Sequence, residues 1–427
     1  MPIKASKTRQ ALRQAIGYNL GSIIVSTATA TGSTTTLLDT NALAYGGTDD
    51  FKGRDIILIS GTAGNIGTVA KTTAFDSTSK TLTVSPTLAS ATAAADGYEL
   101  HEGYRVAEIN AHINQAIVSI TDDVLIDKQT ATTFKQEDKY LYDCLSNFVG
   151  LHRVEYVSNI LIDSIIHACN VVWDELVDGD VTASVDTSIF SGGSLKLVVA
   201  AGCGAGDILA TDSITSLNIA DCDELLITVY STVALSAGDL QVLLDDTALC
   251  ASAVESLNIP ATSAYTKTTH VISLANPSSD SAIISVGIKM VTDKGAFTLY
   301  VKDIKAQHSL TRLYQELNPN LWNITRGTTP LLQLTEGGYS SINNDALLRL
   351  TGYQIPTELS DDTTSYCDVD PDYVIAKATS TLLLAKGRNS QVDLDERLKR
   401  SDMWNDKAER IKREIRSHIQ PDTRWVS

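Results

Sequence analysis

Several groups of residues are of types that chemistry uses, and in each the spacing argues against a catalytic or metal site. Gly61, Gly64 and Gly67 follow the apolar run DIILIS at 55–60, as the glycines of a phosphate loop would. A phosphate loop must open a helix, whose free N–H groups and dipole receive the anion. Here TVAKTTAFD follows, a strand-like run, so these glycines are expected to turn a hairpin. Asp368, Asp370 and Asp372 alternate, with Asp361 and Asp362 close by. A calcium loop of the EF-hand type started at Asp368 needs Gly at its sixth position and Glu at its twelfth, and those are Tyr373 and Thr379. Turn and helix-cap chemistry accounts for these acids. His101, His112, His152, His167, His270, His308 and His418 are scattered, with no HxxxH pair and no neighbouring cysteine, which argues against zinc. There is no GxSxG, and paired carboxylates such as Asp221/Asp223 and Asp245-Asp246 read as solvated turn residues. The chain is expected to be no enzyme and to need no cofactor.

Composition sets the frame. A chain of 427 residues with 43% hydrophobic and 20% charged side chains is folded protein of two or three domains. Tracts rich in Val, Thr, Ser, Ala and Gly point to much β structure. No apolar run approaches the roughly 18 residues of a membrane span, and the basic start MPIKASKTRQ has no apolar core of a secretory signal. No membrane partner is expected, and folding in cytoplasm, or in a particle assembled there, follows. Cys144, Cys169, Cys203, Cys222, Cys250 and Cys367 form no CxxC pair and read as free thiols, mostly buried. The net charge of −17 is uneven: residues 171–306 hold seventeen acids, six lysines and no arginine. Such a segment repels nucleic acid, which argues against a DNA-coating role.

Those residues need elements to place them. Periodicity predicts a first helix over 4–19, ended by Gly17, and a second over 103–127 through Val106, Ile109, Ile113, Ala116, Ile117, Ile120 and Val124. Between them, 21–102 reads as a small β barrel or sandwich. Residues 139–157 read as strand, turn and strand. From 158 to 310 at least seven short alternating strands argue an antiparallel sandwich. After 311 come the short strands LWNIT, LLQLTE and ALLRLTGYQIP. Asp370-Pro371 then has the residues of a helix cap and first turn, and a last helix is predicted over 393–419.

Two resemblances add to this reading. The segment LLRLTGYQIPTELSDDTTSYCDVDPDYVIAKATSTLLLAK, together with VGLHRVEYV and the Trp322–Ile324 strand, resembles head–tail adaptor (connector) proteins of tailed bacteriophages. That resemblance implies an α+β multidomain chain on a helical-bundle adaptor core, made by residues 1–20, 103–157 and 311–427. It also implies a homo-oligomeric ring, a dodecamer, in the virion neck, assembled in the host cytoplasm. The partners would be the portal protein, tail or neck proteins, and genomic DNA passing through the lumen without sequence-specific contact. The region 158–310 resembles the galactose-binding-like jelly roll of carbohydrate-binding modules, through its early Trp173, FSGGSLKL, the NIPA strand start and the closing YVKDI. It would be an insertion between strands that still pair.

Site expectations follow from the second resemblance. A structural calcium of such modules would fall to Asp174, Glu175 and Asp303. Glycan stacking would fall to Tyr265 and Tyr300, with Tyr230 a further aromatic of the region, while Trp173 suits the core. At the C-terminus, Arg424, Trp425 and Val426 are expected to dock on a neighbouring ring, since a tail past Pro421 leaves the helix and Arg and Trp are common interface anchors. The main expectation is a structural virion protein. The alternative is a glycan-binding, collar or baseplate component acting through its jelly roll.

Overall fold

The computed structural model describes residues 5–157, 164–344, 346–385, 394–415 and 419–426. Lys4, Asp393 and His418, which entered the predicted helices, lie outside them, as does the start of the predicted insertion at 158. The chain divides into two compact units, 1–127 with 147–149 and 353–421, and 128–146 with 150–352 and 422–427.

In the first unit, helix α1 (Arg9–Leu20) begins where the Thr8 hydroxyl accepts the Ala11 N–H at 3.3 Å. Gly17 does not end it. Its bare Cα lies against Ile23, and the helix closes instead at Gly21, whose φ of 64° is the left-handed C-terminal cap. Seven antiparallel strands between Ile23 and His101 form one sheet, whose apolar side chains enclose a core of their own around Phe75, Leu58 and Tyr98. Helix α2 (Val106–Val118) starts where the Asp55 carboxylate takes the Val106 N–H. It is shorter than its sequence periodicity, because a turn over 119–123 replaces the last helical residues, yet Ile120 and Val124 still reach the core.

Helix α3 (Glu336–Ser341) is a short element of the second unit. Helix α4 (Pro371–Ala385) opens on the expected cap, with Asp370 accepting the Asp372 N–H at 2.8 Å. Helix α5 (Leu394–Ile415) carries Asp395 and Glu396 in its first turn and Lys412 and Arg413 in its last, matching its dipole. Leu12, Ile113, Val374 and Ala408 bring α1, α2, α4 and α5 into one cluster.

The second unit is built of sheets. Gly150–Val157 and Leu347–Gln354 lie side by side in one sheet, flanked by Tyr314–Glu316 and Ile126–Phe134. The last of these was not foreseen, because IDKQTATTF has no apolar face to mark its alternation. Between the paired strands the chain makes an antiparallel sandwich, the jelly roll. One sheet runs Val181–Asp186, Ser194–Val199, Phe297–Gln307, Glu224–Ser231, Thr268–Ser273, with Ser164–His167 added to Phe297–Gln307. The other runs Leu176–Val177, Ile208–Leu217, Ile283–Met290, Leu240–Asp245, Glu255–Asn258. Alternate residues of both sheets, such as Leu197, Ile227, Val242, Val286 and Val301, fill the space between them.

These proportions correct the expected fold class. Among the described residues strand accounts for 38% and helix for 20%, in five antiparallel sheets. The helices pack together, but they are not the frame. The helical-bundle core was what the adaptor resemblance implied, and the helices that suited it were visible locally by their 3.6-residue periodicity, whereas the strands at 126–134, 150–157 and 347–354 acquire their weight only by pairing over long sequence distances.

Candidate functional site

The first jelly-roll sheet has one face in the core and one outside. Pleating sends Lys196, Thr228, Tyr230, Tyr300 and Lys302 outward. Register sets them side by side: Lys196 opposite Tyr300, Tyr230 opposite Tyr300, and Thr228 opposite Lys302. The Tyr300 ring is mostly covered, and Tyr230 meets it edge-on at 5.5 Å between centroids. Tyr265 comes from the loop before Thr268–Ser273 and meets Tyr230 edge-on at 6.5 Å.

Tyr265 is 69% exposed, and its φ of 58° is a conformation that bulky residues rarely adopt. Its N–H is held by the Ser231 carbonyl at 2.7 Å. An exposed aromatic ring in a strained backbone, propped on Tyr230 and through it on Tyr300, is a ready stacking surface.

The same outer face continues toward the neighbouring sheet. There Leu226 packs with Phe134 and Leu347. Before that contact lies a narrow recess lined by Glu137, Phe190, Thr228, Lys267, Thr269 and Lys302. Phe190 is buried, and the ammonium groups of Lys267 and Lys302 lie 5.5 and 5.7 Å from its ring centroid.

Trp173 is fully buried and supplies no platform. Its indole N–H donates to His167 Nδ1 at 3.2 Å, and the Cys169 N–H donates to the same atom at 2.9 Å. With Nδ1 accepting twice, Nε2 carries the proton and donates to Asp212 at 2.9 Å. Burial pushes the His167 pKa down despite the carboxylate beside it, keeping the ring neutral. This is a mostly buried polar strut.

No family model matches the chain, and no curated protein does. Among solved structures it is similar to the family 11 carbohydrate-binding module of the Clostridium thermocellum cellulase Lic26A-Cel5E, at 10% identity over 35% of this chain and 97% of that one, with a TM-score of 0.27. It is also similar to the family 30 module of a C. thermocellum cellulase, at 14% identity over 35% and 99%, TM-score 0.23. A family 29 module from Piromyces equi gives 12% identity over 39% and 94%, TM-score 0.20. At these scores the likenesses carry no weight on their own, and the jelly-roll assignment rests on the two-sheet topology described above.

The structure does not assemble Asp174, Glu175 and Asp303 into a cation cage. The Glu175 oxygens accept from the Leu249 N–H at 3.0 Å and the Ser285 hydroxyl at 2.7 Å, and Asp303 pairs with Lys305 at 3.5 Å. Among the described residues no three His, Cys, Asp or Glu side chains converge as a metal site. The glycines at 61–67 turn the expected hairpin, with φ of 101° at Gly61 and 81° at Gly67. The six cysteines are free, five of them buried.

The C-terminal anchors are used within the chain. Arg424 and Trp425 pair as a short strand with Leu151 and Gly150. The Arg424 guanidinium stacks 4.3 Å from the Trp322 ring centroid and donates to the Pro319 and Trp322 carbonyls, and Val426 is buried.

Lys196, Lys267, Lys302 and Phe190 were missed in the sequence. Lys196 and Lys302 lie in recognisable strands, but nothing local says which strands are neighbours.

Proposed function

We propose that the chain binds glycans through the outer face of its first jelly-roll sheet, with Tyr265 as the ring-stacking platform and Tyr230 and Tyr300 beneath it. The observation that carries this reading is Tyr265 itself, 69% exposed at a positive φ and braced by Tyr230, which Tyr300 meets in turn. A sugar presents C–H groups on one face of its ring, and these match the negative face of an aromatic ring. The hydroxyl and ammonium groups around the tyrosines offer hydrogen-bond partners to the sugar hydroxyls. The test is a glycan array with the whole chain, followed by titration of any hit. Tyr265→Ala should weaken binding about tenfold, equivalent to roughly 1.4 kcal/mol, with the melting temperature unchanged. No hit on the array, or a Tyr265→Ala variant that binds like the parent, would overturn the reading.

A second reading, a ring-forming component of a phage particle, comes from the resemblance of the terminal segments. Gly150–Val157 pairs with Leu347–Gln354 across the jelly roll, as expected of an insertion between two paired strands. Negative-stain imaging of the purified chain tests it: closed rings support it, and a monodisperse monomer counts against it.

A further inference from the structure

Lysines are scarce in the jelly roll, six against seventeen acids between 171 and 306. Three of the six, Lys196, Lys267 and Lys302, are gathered at the tyrosine-bearing face. Two are already neutralised: Lys196 by Asp186 at 3.2 Å, and Lys267 by Glu137 at 3.6 Å with Asp138 at 4.0 Å. Lys302 differs. It is half-buried, its ammonium lies against the Phe190 ring, and it makes no close ion pair among the described residues: the carboxylate it shares a recess with, Glu137, is already paired with Lys267 and feels both cations. It follows Tyr300 by two positions on the same side of one strand, so the two stems are about 6.6 Å apart. That is close to the length of one sugar ring.

One carboxylate between two partly desolvated ammonium groups leaves positive charge uncompensated, and an incoming anion relieves that cost through a charge-assisted hydrogen bond. The net negative charge of the domain does not forbid this. At physiological salt the Debye length is about 8 Å, so the local cation governs the contact more than distant acids do.

We propose that this face selects glycans with acidic sugar units, one ring resting on the Tyr265–Tyr230 platform and the anionic group of the chain meeting Lys302. The proposal rests on the glycan-binding reading above and adds its ligand class. Carboxylate and sulfate would both satisfy Lys302, so both are probed.

The experiment is calorimetric titration of the whole chain at 150 mM NaCl with three probes: an oligogalacturonate, its methyl-esterified neutral counterpart, and a sulfated galactan oligosaccharide. At least one acidic probe is expected to bind about tenfold more tightly than the neutral one. Lys302→Gln should erase that preference, while Lys302→Arg should keep it. Equal binding of neutral and acidic probes by the parent chain, or a preference that survives Lys302→Gln, overturns the acidic-ligand assignment and leaves glycan binding standing. Failure of all three probes, together with a blank glycan array, overturns both.

Discussion

At the scale of single residues, buried charge is where this chain is most exposed to mutation. Arg13 is fully buried and donates to Glu99 at 2.6 Å and Asp362 at 2.8 Å, and His101 Nε2 lies 3.0 Å from the same Glu99 carboxylate. Burial alone would raise the Glu99 pKa, but hydrogen bonds from His101 and Arg13 hold it below the usual carboxylate range. Its contribution to stability is therefore present above the unfolded carboxylate pKa and is lost as pH falls through the lowered folded value. Removing Arg13 leaves that carboxylate buried without its main counter-charge. Arg13→Ala should cost about 3–5 kcal/mol in chemical denaturation. The Arg13→Ala/Glu99→Ala pair should cost clearly less than the sum of its parts, and strict additivity would refute the coupling.

Asp280 behaves in the opposite sense. It is fully buried, and burial beside Glu255 pushes its pKa up to about 6. Both Glu255 oxygens accept backbone N–H groups, from Ala275 at 3.1 Å and Asn276 at 2.6 Å, whereas the buried Asp280 oxygens have no such donors. The sign follows. The folded Asp280 holds its proton more tightly than the unfolded one, so stability falls as pH rises from about 4 through 6. The loss is on the order of 1–3 kcal/mol. Asp280→Asn should remove that loss, which thermal melts at pH 4, 5, 6 and 7 would read. Identical pH slopes for parent and variant would sink the assignment.

At the scale of elements, caps and strand contacts were unequally visible. Asp370-Pro371 was legible as a helix start because capping is local, a side-chain oxygen reaching an N–H two residues on. Asp370→Ala should lower stability by about 1 kcal/mol, measured as a shift in denaturation midpoint at constant slope. Gly352 was read only as part of an apolar strand. Its reason is tertiary: a Cβ there would sit 2.1 Å from the Gly150 carbonyl oxygen of the adjacent strand. Gly352→Ala must push backbone from backbone and should cost about 1–3 kcal/mol. An unchanged midpoint would show that the strands can separate at no cost. The C-terminal tail makes the same point. Leaving the helix past Pro421 was legible; its destination on Trp322 and Gly150 was not.

At the scale of the whole molecule, the jelly roll carries its own core. Its two sheets enclose Trp173, Leu197, Ile227, Val286 and Val301, all from between residues 164 and 307. An excised 164–307 fragment should therefore unfold cooperatively by itself, with Leu226 newly exposed where Phe134 and Leu347 covered it. A non-cooperative melt of that fragment would show that the surrounding sheet completes its fold.

The amino-acid sequence by itself determined what depends on near neighbours: the periodic faces of α2 and α4, the cap at Asp370, the hairpin at Gly61–Gly67 and the alternating strands of the sandwich. It also held Tyr230, Tyr265 and Tyr300 as aromatic residues that could stack. Only the tertiary structure decided which strands pair, and with that the balance of sheet over helix, the joining of the three tyrosines on one face and the company of Lys302. The physical reason is range. Helical and capping contacts span three or four residues, whereas Tyr230 and Tyr300 become neighbours through a ladder between strands seventy residues apart, and no local pattern encodes that choice of partner.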